Sequence, residues 1–166
     1  MRAQRLSFAG GWGFEFPIHL DELQRDGRMP NTQLADAVNL SPSPCLARVK
    51  RLEREQVIAR FVALLNPAAV GLGVSVFVQV RLERQVEASL NKFETAVAKR
   101  PEVMECYLMT GSSDYLLHVV VADLDEFQRF VTGFLARIAG VSSIQSGFAL
   151  KQVKYQTALP LDHGTL

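Results

Sequence analysis

The densest group of cationic side chains in this chain lies between residues 42 and 60. Five basic residues stand there against two acidic ones, Glu53 and Glu55, so the segment is locally +3 in a chain whose formal net charge is only +1. Guanidinium and ammonium groups at this density bind polyanions, above all the phosphates of a nucleic acid. Because the whole molecule has little long-range field, this local surface must hold any anionic partner. The five cations are Arg48, Lys50, Arg51, Arg54 and Arg60.

A helical period places the apolar and the cationic residues of this segment on opposite sides. The side predicted to pack inward consists of Cys45, Leu46, Val49 and Leu52. The side predicted to face outward consists of Ser43, Ala47, Lys50, Arg51 and Arg54, with Arg48 at its margin. A solvated basic face is also common on helices that bind nothing, so the pattern alone leaves two interpretations, DNA binding and an ordinary helical hairpin.

Two short helices are predicted to precede the basic one, the first beginning at residue 18 after an irregular stretch over residues 1–17. Asn31 is predicted to cap the second, and Asn39, a residue type that tolerates the left-handed conformation, is predicted to end it. Ser41 or Ser43 then caps the basic helix, with the proline that follows it in the first turn. A short helix, a sharp turn and a basic helix are the form of a helix-turn-helix, whose second helix lies in the DNA major groove.

The hydrophobic period changes after the basic helix. A mostly apolar strand is predicted over residues 57–65, and strict alternation predicts another over residues 74–82. Further strands are predicted at residues 103–109, 115–121 and 141–155. Two helices are marked by Leu90, Phe93 and Val97, and by Leu124, Phe127, Val131, Phe134, Leu135 and Ile138. The order of these elements predicts an α+β fold, the ferredoxin-like βαββαβ sandwich, with both helices on one face of an antiparallel sheet.

Other chemistry is disfavoured by the residue types and their spacing. The three histidines have no metal-ligand spacing and none lies beside a nucleophile, so neither an enzyme nor a metal site is predicted, and no cofactor is expected. Cys45 and Cys106 lie too far apart for a metal motif and are predicted to be buried, reduced thiols. No apolar run approaches the roughly 20 residues of a membrane span, so a cytoplasmic protein without a membrane partner is expected.

In its motifs the chain resembles the Lrp/AsnC, or feast/famine, family of transcription regulators, from about Leu20 to about Leu161. The stretches that carry the resemblance are DELQRDGRMPN, LADAVNLSPSPCLARVKRLE, VIARFVALLNP and TGSSDYLL. The resemblance implies a helix-turn-helix domain over residues 1–56 with an atypical start, a linker strand within residues 57–69, and a ferredoxin-like domain for effector binding and oligomerisation over residues 70–166.

The resemblance also implies partners. One is double-stranded DNA. The other is a second copy of the chain, with which it is expected to form a homodimer through the two sheets, and these dimers are expected to assemble into octamers or similar rings. Arg51 is the residue expected to reach a base edge, while Lys50 and Arg54 are expected to contact phosphates. The full set of implied DNA contacts is Ser41, Ser43, Ala47, Arg48, Lys50, Arg51 and Arg54.

A small amino acid, of the leucine or methionine class, is the effector that the resemblance implies, bound between subunits. The ligand is expected near the loop over residues 110–115. The hydroxyls and backbone amides of this loop can receive the carboxylate of the amino acid, and Asp114 can pair with its ammonium. Glycine, serine and aspartate are equally the residues of any tight hairpin, so an architectural DNA-binding protein that ignores amino acids stays the alternative. The implied ligand residues are Thr110, Gly111, Ser112, Ser113, Asp114, Tyr115 and Phe148.

The first helix departs from the family pattern, which usually begins Leu-Asp-x-x-Asp-x-x-Ile-Leu. Here His19 stands in place of the expected isoleucine, and Pro17 stands where helix should continue. One or two helical turns are therefore expected to be missing, with Trp12, Phe14 and Phe16 expected to fill the space.

Overall fold

The computed structural model of the chain describes residues 16–161, with side chains from residue 18 onward. One of its two compact units comprises the described residues up to Ala63 together with those from Lys154, and the other comprises Leu64–Val153. The helices are α1 (Phe16–Arg25), α2 (Asn31–Ala37), α3 (Pro42–Arg54), α4 (Glu87–Val97) and α5 (Leu124–Gly133), with single 3₁₀ turns at Pro67–Val70 and Leu135–Arg137. The strands are β1 (Val74–Leu82), β2 (Val103–Leu108), β3 (Tyr115–Val121) and β4 (Val141–Phe148).

Strict alternation along β1 separates the core of the C-terminal unit from the open face of its sheet. Val76, Val78 and Val80 are fully buried, whereas Phe77 between them is exposed. Side chains on a strand point alternately to its two faces, so this pattern places one face of the sheet under the helices. The predicted bounds of β1 are confirmed.

The sheet has the order β2-β3-β1-β4, and all three neighbouring pairs are antiparallel. Both helices pack on the same buried side, where Phe93 and Val97 of α4 meet Phe127 and Phe130 of α5 in one cluster with the strand residues. Burying each such side chain contributes about 1.5–3 kcal/mol. The predicted ferredoxin-like βαββαβ sandwich is confirmed.

A smaller core holds the helices of the N-terminal unit together. Leu34 and Ala35 of α2 are buried against Cys45 of α3. Asn39 lies between these helices with φ of 54°, the left-handed conformation that its residue type was predicted to adopt, and the Leu40 N–H bonds the Ala35 carbonyl at 2.8 Å. The chain therefore turns sharply from α2 into α3, as a helix-turn-helix requires.

Helix α1 begins earlier than its sequence indicates. It starts at Phe16, so Pro17 stands in its first turn, where the missing N–H needs no helical partner. The prediction that the helix begins at residue 18 is therefore wrong. His19, which replaces the expected isoleucine, is 1% exposed and fills a buried position. The expectation for Trp12, Phe14 and Phe16 falls outside the side chains that the structure describes.

The C-terminal tail belongs to the N-terminal unit. Leu159 and Gln24 of α1 exchange two hydrogen bonds, with the Leu159 N–H donating to Oε1 at 2.6 Å and Nε2 donating to the Leu159 carbonyl at 3.2 Å. The side-chain amide thus pairs with the backbone as a neighbouring strand would. This grouping differs from the sequence prediction, which assigned all of residues 70–166 to the C-terminal domain.

Three further predictions need correction. Residues 57–65, predicted as a strand, form none, because in the described part of the chain their backbone meets no neighbouring strand to pair with. The last strand ends at Phe148 rather than near residue 155, and its pairing with β1 ends there too. Cys106, predicted to be buried, is exposed because β2 is an edge strand. Leu124 marks the start of α5 as predicted, and its side chain is 60% exposed. No helix within residues 16–161 has the length and apolar character of a membrane span.

Candidate DNA-binding surface and effector site

Helix α3 is positioned by its first turn. Ser41 occupies the N-cap position and Pro42 the first helical position, as predicted. Asn31 does not cap α2, because Pro30 holds that position. Instead Asn31 donates its side-chain N–H to the Pro42 carbonyl at 2.9 Å. This bond ties the start of α3 to the start of α2 and so fixes the angle at which α3 leaves the turn.

The two faces of α3 differ in burial as the period predicts, with one exception. Cys45 and Leu52 are buried, at 0% and 1% exposure, whereas Leu46 is 42% exposed and does not belong to the packed side. The core of α2 covers only a narrow stripe of α3, and Leu46 lies outside it. The seven predicted DNA contacts are all exposed or half-buried: Ser41, Ser43, Ala47, Arg48, Lys50, Arg51 and Arg54.

A carboxylate lies at the C-terminal end of this cationic face. Arg51 donates through Nε to Glu55 Oε1 at 2.7 Å, and Arg54 Nη2 lies 4.0 Å from the same oxygen. Both side chains of the closer pair are more than a third exposed, so the pair contributes little to stability. Sequence reasoning missed it although the i, i+4 spacing is a known signal for such a pair.

The predicted effector loop connects β2 to β3. Thr110, Gly111 and Ser112 are exposed, and Gly111 has φ of 119°, a backbone conformation that favours glycine. The loop is closed by Leu108 opposite Tyr115 and by the Met109 N–H, which bonds the Asp114 carbonyl at 2.8 Å. Hydroxyl and backbone groups are therefore presented to solvent at the tip of the hairpin.

Asp114 lies beneath this tip and is 4% exposed. Its Oδ2 accepts the backbone N–H of Leu82 at 2.6 Å, and its Oδ1 accepts a side-chain N–H of Gln85. Its own N–H donates to the Val80 carbonyl at 2.9 Å. Asp114 thus fastens the hairpin to the end of β1, and both carboxylate oxygens are occupied by groups of the same chain. Sequence reasoning did not identify Gln85, since no local motif marks it.

Phe148 is not brought to this loop within one chain. It lies on β4 opposite Val76, whereas the loop begins beyond Tyr115, which lies opposite Val80. Four residues along β1 correspond to about 13 Å, and β2 and β4 form opposite edges of the sheet. Phe148 is 47% exposed, with its ring edge against Phe127 at a centroid distance of 5.4 Å.

A groove of about 350 Å³ opens directly below the hairpin, between α4 and β2. Two of its lining side chains are bonded to each other, since the Tyr115 hydroxyl donates to Glu94 Oε1 at 2.7 Å. Although Cys106 is exposed to solvent, the protein around its thiol desolvates it in part, and this effect and then the nearby Glu94 charge raise its pKa to about 11. Burial together with the Glu94 hydrogen bond also raises the pKa of Tyr115. The lining residues are Glu94, Val97, Ala98, Val103, Met104, Glu105, Cys106, Leu108 and Tyr115.

Glu94 gave no signal in the sequence, because an acidic residue on an outward helix position is ordinary. It lies 21 residues before Tyr115, so only the folded sheet brings the two side chains together. The groove therefore combines two carboxylates, of Glu94 and Glu105, with a phenol, a thiol and apolar side chains.

Known protein families match both halves of the chain. Residues 20–59 match a winged helix-turn-helix DNA-binding domain, and residues 75–159 match the Lrp/AsnC ligand-binding domain. The first match contains α2, the turn and α3. The second contains the sheet, both of its helices and the groove.

Individual relatives are similar over most of their length. The chain is 45% identical over 142 residues to the Bkd operon transcriptional regulator of Pseudomonas aeruginosa, which covers 86% of this chain and 93% of that protein. It is 40% identical over 140 residues to the leucine-responsive regulatory protein of Escherichia coli, covering 84% of this chain and 85% of that one.

Solved structures agree with these sequence matches. A transcriptional regulator from Neisseria meningitidis in complex with L-methionine has a TM-score of 0.85 at 39% identity, covering 92% of this chain and 97% of that one. An AsnC family transcriptional regulator from Agrobacterium tumefaciens has a TM-score of 0.86 at 38% identity, covering 93% of this chain and 100% of that one.

The relatives are named as transcription regulators, which confirms the prediction that this chain is not an enzyme. The helix-turn-helix unit and the ligand-binding unit each match a family model. Relatives of 40–45% identity span both units. The chain therefore belongs to the Lrp/AsnC family of DNA-binding transcription regulators.

Proposed function

We propose that this regulator reads duplex DNA with the outer face of α3 and responds to a small amino acid, of the leucine or methionine class, bound between subunits. The observation that supports the proposed DNA binding is that α3 has one buried apolar face and one cationic face open to solvent. Its Cys45 and Leu52 are buried while its cations are not. The proposed DNA contacts are Ser41, Ser43, Ala47, Arg48, Lys50, Arg51 and Arg54.

Different cations have different proposed tasks. Lys50 and Arg54 are exposed and suit phosphates, whose contacts need charge but little geometry. Arg51 is proposed to reach a base edge, which requires it to leave Glu55. Opening an exposed i, i+4 pair costs about 0.3–0.5 kcal/mol, whereas a bidentate contact to guanine contributes about 1–3 kcal/mol. The exchange is therefore favourable once DNA is present.

The proposed effector class is supported by two relatives and by the chemistry of the loop. The Neisseria regulator was solved with L-methionine, and the Escherichia coli relative is named leucine-responsive. The proposed ligand contacts are Thr110, Gly111, Ser112, Ser113, Asp114, Tyr115 and Phe148. A site that contains both the loop and Phe148 needs two subunits, because one chain keeps them apart.

The proposed assembly is a homodimer that builds octamers or similar rings. The open face of the sheet supports it, since Phe77 is 43% exposed there and stacks on His118 at a centroid distance of 4.9 Å. An exposed aromatic pair on a sheet face is the kind of apolar surface that a second subunit covers.

The DNA proposal is tested by salt dependence. Lys50→Ala and Arg54→Ala should each weaken binding to a duplex selected from a random pool and reduce the slope of log affinity against log salt by about one. The matched control is Arg84→Ala, which removes an exposed cation from the loop after β1. Fluorescence anisotropy at several salt concentrations measures the slope, and slopes equal to that of the parent would refute the assigned contacts.

The effector proposal is tested by thermal shift with the twenty amino acids. A ligand at 100 times its dissociation constant adds about 2.7 kcal/mol to the free energy of unfolding. Leucine or methionine should therefore raise Tm. If none of the twenty does, the effector part fails, and the chain is an architectural DNA-binding protein instead.

A further inference from the structure

We infer that Leu46, on the outer side of α3, contacts the 5-methyl group of a thymine in the DNA major groove and so helps to select the operator sequence. This inference rests on the proposed DNA contacts of α3 and adds to them a residue that reads a base through an apolar contact. Lys50 and Arg54 are assigned to phosphates, which carry no sequence information. A specific site therefore needs further residues that reach the bases.

Leu46 is exposed although its side chain is apolar. It is 42% exposed, whereas Cys45 and Leu52 of the same helix are 0% and 1% exposed. The small core that includes Leu34 and Cys45 does not contain it. Within α3, every residue of which the structure describes, Leu46 is the single exposed large hydrophobic side chain. Packing against α2 therefore does not explain why a leucine stands at this position.

One exposed leucine is ordinary on a protein surface, so its surroundings decide what it contacts. Ser43 precedes Leu46 by three residues and Lys50 follows it by four, so all three share one side of α3. Ser43 and Lys50 are exposed and belong to the proposed DNA contacts. Because Leu46 lies between them, one turn from each, a duplex that touches both must also meet the leucine.

Leu46 also lies in the half of α3 that is suited to enter the groove. It is the fifth residue of a 13-residue helix. In a helix-turn-helix the N-terminal residues of the second helix contact the base edges. The charges of α3 agree with this orientation, since residues 42–52 contain no carboxylate, whereas Glu53 and Glu55 follow at the C-terminal end and would repel a polyanion.

The major groove offers one apolar group that a leucine can contact. Thymine is the base that carries a methyl group on its groove edge, and apolar side chains pack against that methyl. A leucine side chain has no hydrogen-bond donor or acceptor, so opposite guanine or cytosine it would leave polar groups of the base desolvated and unpaired. The base pair that faces Leu46 is therefore expected to contain thymine, with its methyl group against the leucine.

The test removes the apolar group from each side of the contact in turn. Deoxyuridine differs from thymidine only in lacking the 5-methyl group, and Leu46→Ala removes the branched end of the side chain. The parent protein selects a duplex from a random pool, and each thymine of that duplex is then replaced singly by deoxyuridine. At one thymine in each half-site, replacement should lower the affinity of the parent about 3- to 10-fold, and that of Leu46→Ala by less than about twofold.

Three further measurements serve as controls. Leu46→Ala should bind the unmodified duplex about 5- to 30-fold more weakly than the parent, with an unchanged slope of log affinity against log salt, because no phosphate contact is lost. Leu46→Asn, which has a similar volume but a polar end, should lose the same dependence on the methyl group. Leu124→Ala removes an exposed leucine from the start of α5 and should bind every duplex as the parent does.

Three results would overturn the inference. The first is that each deoxyuridine substitution has the same effect on the parent and on Leu46→Ala. The second is that Leu46→Ala lowers the Tm of the DNA-free protein by more than about 5 °C, which would show that the leucine is packed in the fold. The third is a change of oligomer size in light scattering, which would show that another copy covers Leu46.

These results are distinguishable from a failure of the proposed function. The phosphate contacts are judged by the salt slopes of Lys50→Ala and Arg54→Ala, which do not depend on Leu46. Reduced slopes together with equal deoxyuridine effects would therefore keep the proposed DNA-binding face and discard only the thymine contact. If the parent selects no duplex from the pool, both fail.

Discussion

Replacing Asp114 by alanine should destabilise the ligand-free protein. The substitution leaves the buried Leu82 N–H without its acceptor, and a lost hydrogen bond to a charged group costs about 1.5–3 kcal/mol. The second bond, to the exposed Gln85, should add less than about 1 kcal/mol. The expected total is about 2–4 kcal/mol.

The assay is thermal unfolding without ligand, followed by circular dichroism at a fixed protomer concentration because assembly also affects Tm. For a unit of about 90 residues (Leu64–Val153), 1 kcal/mol corresponds to roughly 4–8 °C, so a loss of about 2–4 kcal/mol should lower Tm by about 8–32 °C. Gln85→Ala, which removes only the weaker bond, should lower Tm by no more than a few degrees.

The ligand-free measurement decides between two roles for Asp114. A residue that only contacts the effector would leave the ligand-free Tm unchanged on substitution and would affect only the shift that leucine or methionine produces. An unchanged Tm in the alanine variant would therefore refute the argument that Asp114 holds the hairpin, and would leave it only its proposed role as a direct ligand contact.

Two further outcomes are expected. Glu55→Gln should strengthen DNA binding about two- to fivefold at low salt, because it removes the ion pair with Arg51 and a negative charge near the phosphates. The free energy of unfolding should change by less than about 0.5 kcal/mol. Weaker binding in anisotropy would contradict this. Cys106, although exposed, should react with iodoacetamide at pH 8 at least about tenfold more slowly than a thiol of ordinary pKa, because its own is raised to about 11. Alkylation as fast as that of a small thiol would contradict the raised pKa of Cys106. Because the folded protein holds the thiol proton up to a higher pH than the unfolded chain does, the contribution of Cys106 to the free energy of unfolding should be lost as pH rises from about 9 to about 11.

Elements whose pattern is decided by their own residues were predictable. The alternating valines of β1 give a period of two with clearly different faces, and both of its ends agree with the prediction. The start of α3 was predictable because serine followed by proline has few alternatives to an N-cap and a first turn. The left-handed Asn39 follows from the same kind of local chemistry.

Elements that depend on distant parts of the chain were not predictable. A strand over residues 57–65 has suitable composition, but a strand exists only beside another, and composition does not supply one. Leu46 and Leu124 fit a helical period, yet their exposure depends on how wide a stripe the neighbouring elements cover.

The candidate sites follow the same division. The cationic face of α3 comes from one continuous segment, so its residues were named from the sequence. The contacts of Asp114 with Leu82 and Gln85, and of Tyr115 with Glu94, join residues 21 to 32 positions apart. Serine, glycine and aspartate in the hairpin indicated a tight turn, but nothing local showed which carboxylate is buried in hydrogen bonds and which one lines a groove.

The paired hydrogen bonds between Gln24 and Leu159 bear on how this protein can be divided for experiments. A peptide cut after residue 63 would contain α1, α2 and α3 but would be missing the residues from Lys154 onward that belong to the same unit. Such a fragment should unfold at a lower temperature than the same helices do in the intact chain. A DNA affinity measured on the fragment would therefore be lower than that of the intact regulator.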